Sequence, residues 1–94
     1  MELSEMQGLL HEIHGVFPIS DYRVILEFDN GEYRVVSVQP YIEKGGVFEA
    51  LKDPRMFKTA HVSESNTIEW ENGVDLDPDV LYAQSAPLEI PKII

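Results

Sequence analysis

At 94 residues the chain has room for one domain and for no second core. It contains no cysteine, which excludes disulfides, thiolate catalysis and cysteine-based zinc sites. Seventeen acidic residues against seven basic ones give a formal net charge of −10. We therefore expect no direct binding of nucleic acid and no binding to anionic membranes, whereas a basic protein is an acceptable partner.

The amino-terminal residues and the hydropathy of the chain indicate a cytoplasmic protein. Residues 1–10 contain two glutamates and no Lys or Arg, whereas a secretory signal begins with basic residues. No stretch approaches the roughly 20 apolar residues that span a membrane. The lack of cysteine points the same way, because small secreted domains often depend on disulfides.

The clearest predicted element is a β-hairpin over residues 21–38. Apolar residues at every second position of 22–28 indicate a strand, residues 33–38 resume a β-rich composition, and Asn30-Gly31 between them favours a tight turn. Residues 12–19 also look extended, and Gly15 and Pro18 within them suggest an edge position or a bulge. Residues 1–10 fit either a helical turn or a loose tail.

The pattern changes after the hairpin. Residues 39–42 are predicted as a turn that leads into the flexible pair Gly45-Gly46, and the spacing at 47–51 predicts a helix. Asp53-Pro54 and Asp77-Pro78 each read as a helix cap followed by proline, and strands are predicted at 59–63 and 67–71. Residues 86–94 either dock as an edge segment or hang free. The predicted fold class is α+β, with a small antiparallel sheet of four to five strands and two or three short helices.

No motif of the chain predicts a cofactor, a metal or a catalytic centre. His11 and His14 form H-x-x-H, which on a strand points the two rings to opposite faces, and we interpret both as incidental surface histidines. The carboxylates from Asp75 to Asp79 are spaced like the start of a calcium loop, but the required glycine and glutamate are missing. The chain has no G-x-S-x-G, Walker or dinucleotide motif. We predict a non-enzyme, and a small hydrolase using His61 and scattered carboxylates such as Asp75 is the least favoured alternative.

Trp70 is the only tryptophan and lies between two glutamates. We favour an interpretation in which its ring covers the core. The alternative is an exposed aromatic anchor within an acidic rim, as at the centre of many interfaces. The candidate interaction residues are Trp70, Glu69, Glu71 and Asp75.

Three segments resemble a bacterial family called domain of unknown function 2442. They are F-D-N-G-E-Y-R-V-V-S-V at 28–38, G-V-F-E-A-L-K-D-P-R-M-F at 46–57 and I-E-W-E-N-G-V-D-L-D-P-D-V-L-Y at 68–82. The resemblance covers about residues 12–82 and leaves 1–11 and 83–94 as flanking segments of one domain over 1–94. Its signature falls on Trp70, Asn72, Gly73, Asp75, Asp77, Pro78, Leu81 and Tyr82. Ser37 departs from the aspartate common in the family.

The resemblance implies a compact α+β fold without an established activity. Members of the family are suspected of forming toxin–antitoxin pairs with a second small protein. The first hypothesis is therefore a non-enzymatic protein-interaction module, such as the acidic, antitoxin-like partner of a small basic protein. It also rests on residues 60–91, which contain seven acids and no Lys or Arg. The alternative is a domain that self-associates through an exposed strand edge, as a homo-oligomer, or senses a small ligand.

Overall fold

The computed structural model describes residues 11–88, which form two antiparallel sheets and a few short helices. In chain order the elements are β1 (Ile13–Ile19), β2 (Arg23–Phe28), β3 (Tyr33–Ser37), α1 (Gln39–Lys44), a 3₁₀ helix (Gly46–Lys52), α2 (Pro54–Phe57), β4 (His61–Val62), β5 (Ile68–Glu69), β6 (Asp75–Leu76), α3 (Pro78–Gln84) and β7 (Ala86–Pro87). The first sheet has the order β1-β2-β3-β7 and the second the order β4-β5-β6. The predicted α+β class with a four-stranded antiparallel sheet is confirmed.

The hairpin of β2 and β3 is confirmed, with Val24 opposite Val36 and Ile25 opposite Val35. Of the predicted turn pair Asn30-Gly31, only the glycine adopts the left-handed backbone, at φ 87°. The turn closes through Gly31 N, which donates to Phe28 O at 2.9 Å.

Strand β1 has the edge position and the irregularity that its glycine and proline suggest. It is an end strand of the first sheet, and its register with β2 shifts between Ile13 and Gly15. Pro18 is tolerated because an end strand needs hydrogen bonds on one side only.

The prediction of a turn at residues 39–42 is wrong, because α1 occupies 39–44. Pro40 lies in the first turn of α1, where a missing amide hydrogen costs no helical bond. The predicted helix at 47–51 is a 3₁₀ helix over Gly46–Lys52, which buries Leu51 and leaves Val47 70% exposed.

The sequence predicts a single sheet, whereas β4, β5 and β6 form a second one whose strands have only two residues each. The predicted strands at 59–63 and 67–71 shorten to β4 and β5, and β6 was not predicted. The chain turns again after each pair of strand residues: Ser63 O accepts from Asn66 N at 3.0 Å, and Trp70 O accepts from Gly73 N at 2.8 Å.

One apolar core lies between the first sheet, the helices and the second sheet. Alternate residues of β2 point into it, together with residues from β3, α1, α2 and α3. The buried hydrophobic residues are Ile13, Val24, Leu26, Phe28, Val36, Val38, Ile42, Leu51, Phe57, Ala60, Ile68, Trp70 and Leu81.

The alternatives for residues 1–10 lie outside the described residues, as does most of the 86–94 segment. Of that segment, Ala86 and Pro87 dock as the edge strand β7, opposite Val35 and Arg34. Within residues 11–88, no helix combines the length and the apolar content needed to cross a bilayer.

Candidate interaction surfaces

Trp70 lies in the core and is fully buried. Its indole Nε1 donates to Phe57 O at 3.0 Å, and the centroids of the Trp70 and Phe57 rings are 6.2 Å apart. The alternative of an exposed aromatic anchor is therefore wrong, because the Trp70 ring is fully buried among the core residues. The favoured interpretation of Trp70 as a core residue describes the structure.

The residues after Trp70 form a turn and a capped helix. Gly73 has φ 89°, a conformation that favours glycine, and Asn72 Oδ1 accepts from Val74 N at 3.2 Å. Asp77 Oδ1 accepts from Asp79 N at 2.8 Å at the start of α3, with Pro78 in the first turn. These contacts give the family signature a structural role, and they explain the spaced carboxylates better than a calcium loop does.

Glu69 and Asp75, called here the acidic row, lie side by side on the exposed side of the second sheet. The strand registers place His61 opposite Glu69, and Glu69 opposite Asp75. Two carboxylates directly opposite on neighbouring strands repel each other. His61 relieves part of this repulsion, because its Nε2 lies 3.2 Å from Glu69 Oε1. The structure thus brings together Glu69 and Asp75, while Glu71 lies in the turn after β5 and Trp70 is on the opposite side.

His61 is held in a way that favours its protonated form. Its Nδ1 lies 2.7 Å from Thr59 O, and this backbone contact is the main cause that raises its pKa above 6.5, with Glu69 and Glu71 adding to the effect. Both ring nitrogens therefore have partners, and an imidazole of this kind is a poor general base.

A shallow depression of about 500 Å³ lies beside the acidic row and is the setting for the hydrolase alternative. Of the serines that line it, Ser63 bonds Thr67 Oγ1 at 2.8 Å and accepts from Ser65 N at 3.2 Å, so its hydroxyl organises the turn. No contact joins a serine hydroxyl to His61 among the described residues, and these residues hold no group of three metal-ligating side chains. The arrangement supplies charge without an assembled nucleophile and base.

A second, more apolar depression of about 440 Å³ lies between the β1–β2 turn and α2. Asp21 and Tyr22 in that turn have φ values of 62° and 56°, which are strained for residues with side chains. The Tyr22 ring packs edge-on against Phe57, and its hydroxyl donates to Lys52 O. These contacts account for the strained turn, and ligand sensing stays a prediction.

Sequence reasoning missed a half-buried cluster around Tyr82. The His11 ring stacks on the Tyr82 ring with centroids 3.9 Å apart, and the guanidinium carbon of Arg34 lies 4.2 Å from the centroid of the same Tyr82 ring. Arg34 also donates to Ser85 Oγ at 2.6 Å and to Ser85 O at 2.9 Å. The treatment of His11 as an incidental surface histidine is thereby corrected. Its aromatic partners Phe28 and Tyr82 are 17 and 71 positions away, so no local pattern could have shown them.

Glu32 completes the cluster around Tyr82. It accepts a hydrogen bond from the Tyr82 hydroxyl, and this bond is the main cause that lowers the pKa of the Glu32 carboxyl, followed by the bond from Asn30 Nδ2. Arg34 lies 3.5 Å from the same carboxylate. The Glu32 carboxylate, the Arg34 guanidinium and the Tyr82 hydroxyl all have partners within the chain, so the cluster fastens α3 to the hairpin.

The side of the first sheet turned away from the core, called here the outer face, carries an apolar row. The registers place Phe17, Ile25, Val35 and Ala86 directly opposite one another across all four strands. Phe17 is 47% exposed, Ile25 and Val35 are half-buried and Ala86 is exposed. Tyr33, on the same face, is 40% exposed.

None of these residues belongs to the core or packs against it. The described helices contribute to the core on the opposite, inner face, where Leu26 and Val36 are buried. The outer face is therefore an apolar surface of a sheet without a covering layer among residues 11–88. An antiparallel sheet commonly exposes one face to water, but that face is then polar.

The family model described as "Protein of unknown function (DUF2442)" matches residues 13–87. A search of curated proteins gave no match. Among solved structures, the chain is similar to a putative DNA binding protein from Nitrosomonas europaea ATCC 19718, with a TM-score of 0.70 and 22% identity. The match covers 80% of this chain and 48% of that one, so this chain spans about half of the other's length.

The similarity corrects the expectation that excluded nucleic acid. That expectation rested on the net charge of −10 alone. A protein that contains the same fold is called a putative DNA binding protein, so an exclusion by net charge does not hold. Net charge averages over a whole surface, whereas binding depends on local patches and on the rest of the protein.

Proposed function

Because the chain belongs to the DUF2442 family, whose function is unknown, we propose a function from its surfaces. We propose that the chain is a protein-interaction module. In this proposal it acts by docking and not by turnover. The outer face of the first sheet is its docking surface.

The observation that carries the proposal is the apolar row across four strands. Each of Phe17, Ile25 and Val35 exposes apolar surface to water, and burying such surface is favourable by roughly 25 cal/mol per Å². Single exposed apolar residues need no explanation, but a contiguous row across a whole sheet is typical of an interaction site. A docking partner would supply the layer that sheets of this kind need on an apolar face.

Turnover is left out of the proposal because no described cluster offers the parts of a catalytic centre. His61, the histidine nearest to a depression, has both nitrogens engaged. A broad screen for hydrolase activity tests this point: turnover that disappears in both His61→Ala and Asp75→Ala would replace docking by catalysis as the function.

Site-specific photo-crosslinking in the host cell tests the docking surface. The photoreactive analogue p-benzoylphenylalanine is placed at Phe17 on the outer face and, as a control, at Val47, which is 70% exposed in the 3₁₀ helix. We expect crosslinks to a protein from position 17 and few from position 47. Equal crosslinking at both positions, or none at 17, would contradict the proposal.

The narrower hypothesis of an antitoxin-like partner for a small basic protein stays a prediction. It is supported by the direct opposition of Glu69 and Asp75, because adjacent carboxylates suit a basic partner. If it is correct, Glu69→Gln with Asp75→Asn weakens binding to the protein encoded beside this one and lowers the salt dependence of that binding. Val35→Glu on the outer face would leave the salt dependence unchanged.

A role in DNA binding is the second candidate function. It is favoured by the shared fold with the Nitrosomonas europaea protein that is called a putative DNA binding protein, of which this chain spans about half. Fluorescence anisotropy of a labelled DNA duplex, titrated with the chain at several salt concentrations, tests it. Saturable binding that weakens steeply with salt would favour this candidate.

A further inference from the structure

Two charged side chains flank the apolar row on β2. Arg23 and Glu27 lie two residues before and two residues after Ile25, so all three side chains point to the outer face. Arg23 Nε donates to Ser20 O at 3.2 Å. Within residues 11–88, neither Arg23 nor Glu27 takes part in a salt bridge.

Gly15 is buried on the outer face beneath two neighbouring side chains. It lies opposite Glu27, and a Cβ at Gly15 would come within 2.9 Å of Glu27 Oε1 and 3.0 Å of the Phe17 ring. The missing side chain therefore lets the Glu27 carboxylate and the Phe17 ring lie close to the sheet surface.

The order of charges along β2 makes the outer face complementary to itself. The relevant two-fold axis lies between the two outer faces, parallel to the sheets and at right angles to β2 at Ile25. Rotation about it places a second copy of β2 over the first, face to face and antiparallel. Ile25 then faces its equivalent, and Arg23 of each copy faces Glu27 of the other. An interface of this isologous kind uses the same patch on both copies.

We propose that the outer faces of two copies of this chain pack together as a homodimer, with Arg23–Glu27 ion pairs on both sides of a shared apolar row. This inference rests on the proposed docking function and names the partner. The two sheets form a sandwich about 10 Å apart, with strand directions about 30° from each other, as in other sheet pairs. The charges fix the orientation, and the apolar row supplies most of the free energy of association.

The size of the face sets the strength of the dimer. Four strands about 4.8 Å apart and five residues long, at about 3.4 Å per residue, give a flat area of roughly 300 Å². Stable interfaces bury about 800 Å² per partner, so the dimer is expected to be weak and to dissociate on dilution.

Sedimentation velocity of the purified full-length chain over a range of concentrations tests the proposal. We expect the mass to rise from monomer to dimer with concentration. Val35→Glu should abolish the dimer because it places a carboxylate in the apolar row, whereas the matched control Val47→Glu should leave it unchanged. A wild-type chain that stays monomeric throughout, or equal effects of the two variants, would overturn the proposal.

A charge exchange tests the pairing and does not depend on the apolar row. Arg23→Glu and Glu27→Arg should each weaken dimerisation about tenfold, because each places like charges opposite one another. The double variant should restore it, and Arg55→Glu, at a side chain that is 92% exposed on α2, should change little. A folded double variant as weak as the single ones would contradict the two-fold arrangement.

The photo-crosslinks from position 17 separate failure of this inference from failure of the proposed function. Crosslinks to a second copy of the chain support the homodimer. Crosslinks to a different protein, with a monomeric purified chain, overturn the homodimer and leave docking in place. Crosslinks within one copy to residues 1–10 or 89–94 would show that the chain covers its own sheet, which overturns both.

Discussion

The two faces of the first sheet carry similar residues in different environments. Leu26 is fully buried on the inner face, whereas its neighbour Ile25 is half-buried on the outer face. The same holds in β3 for Val36, 5% exposed, and Val35. The difference comes from what packs on each side, because the described helices and the second sheet join the core on the inner face.

The comparison teaches that the apolar character of a strand residue does not tell which face forms the core. The adjacent pairs Ile25-Leu26 and Val35-Val36 interrupt the alternation that a half-solvated sheet requires. A chain that only needed a stable core could carry polar residues at 25 and 35. The apolar side chains at these two positions are the reason for proposing that a partner covers the outer face.

The largest expected difference is between Leu26→Ala and Ile25→Ala. The first leaves a cavity in the core and should lower the free energy of unfolding by about 2–5 kcal/mol. The second removes half-exposed surface and should cost about 1 kcal/mol or less. Urea denaturation at a concentration where the chain is monomeric measures both, and equal costs would break the distinction between the two faces.

Trp70→Phe tests the buried side at its one indole. It removes the indole bond to Phe57 O, which keeps only the longer bond from Ala60 N at 3.3 Å, and it shrinks a fully buried ring. We therefore expect the free energy of unfolding to fall by about 2 kcal/mol. Tyr33→Phe on the outer face is the control and should stay within about 0.5 kcal/mol. A loss as small as that of the control would mean that Trp70 is not packed as described.

Asp77→Ala tests the helix that covers the inner face near Tyr82. The carboxylate accepts from Asp79 N at the start of α3, and removing such a cap costs about 1 kcal/mol. Thermal unfolding of this variant beside Asp75→Ala, two residues earlier and outside the helix, measures the difference. Similar losses of stability in both variants would show that the Asp77 cap does not stabilise α3.

Asp75→Asn tests the exposed acidic row, and we expect it to raise the free energy of unfolding where the preceding variants lower it. Removing one of two carboxylates that face each other should stabilise the chain by a few tenths of a kcal/mol. The gain should shrink at high salt, where the repulsion is screened. A loss of stability would show that the row is not under repulsion in the free chain.

The smallest expected effect is the pH dependence from His61. Because its pKa is raised above 6.5, the favourable contacts of the charged ring are complete below 6.5 and are lost as the pH rises through the folded-state pKa. An NMR titration should find the His61 pKa above 6.5, and Glu69→Gln should lower it while the Thr59 contact stays. A pKa at or below 6.5 in the unmodified chain would contradict this prediction.

Local patterns were sufficient to predict several parts of the fold. The hairpin of β2 and β3 follows from alternation around a turn, and the caps at Asp53 and Asp77 follow from their position before proline. In each case the residues that decide the structure lie within a few positions of one another. The helix at 39–44 was missed because Pro40 reads as a turn signal although a first helical turn accepts it.

The candidate surfaces could be predicted only in part. The acidic residues at 69 and 75 are visible in the sequence, but their direct opposition depends on the register of two-residue strands that no periodicity reveals. The Tyr82 cluster joins residues from three distant parts of the chain, which are His11, the hairpin at Glu32 and Arg34, and α3. The apolar outer row could not be distinguished from core residues by composition.

By itself, the sequence determined the class of the fold, its turns and caps and the excess of negative charge, because these depend on residue type and short spacing. The tertiary structure alone decided that Trp70 points inward, that Tyr82 is clamped between His11 and Arg34, and that no other part of residues 11–88 covers Ile25 and Val35 on the outer face. The physical reason is that burial depends on what packs against a surface, and packing is set by contacts between residues far apart in the chain.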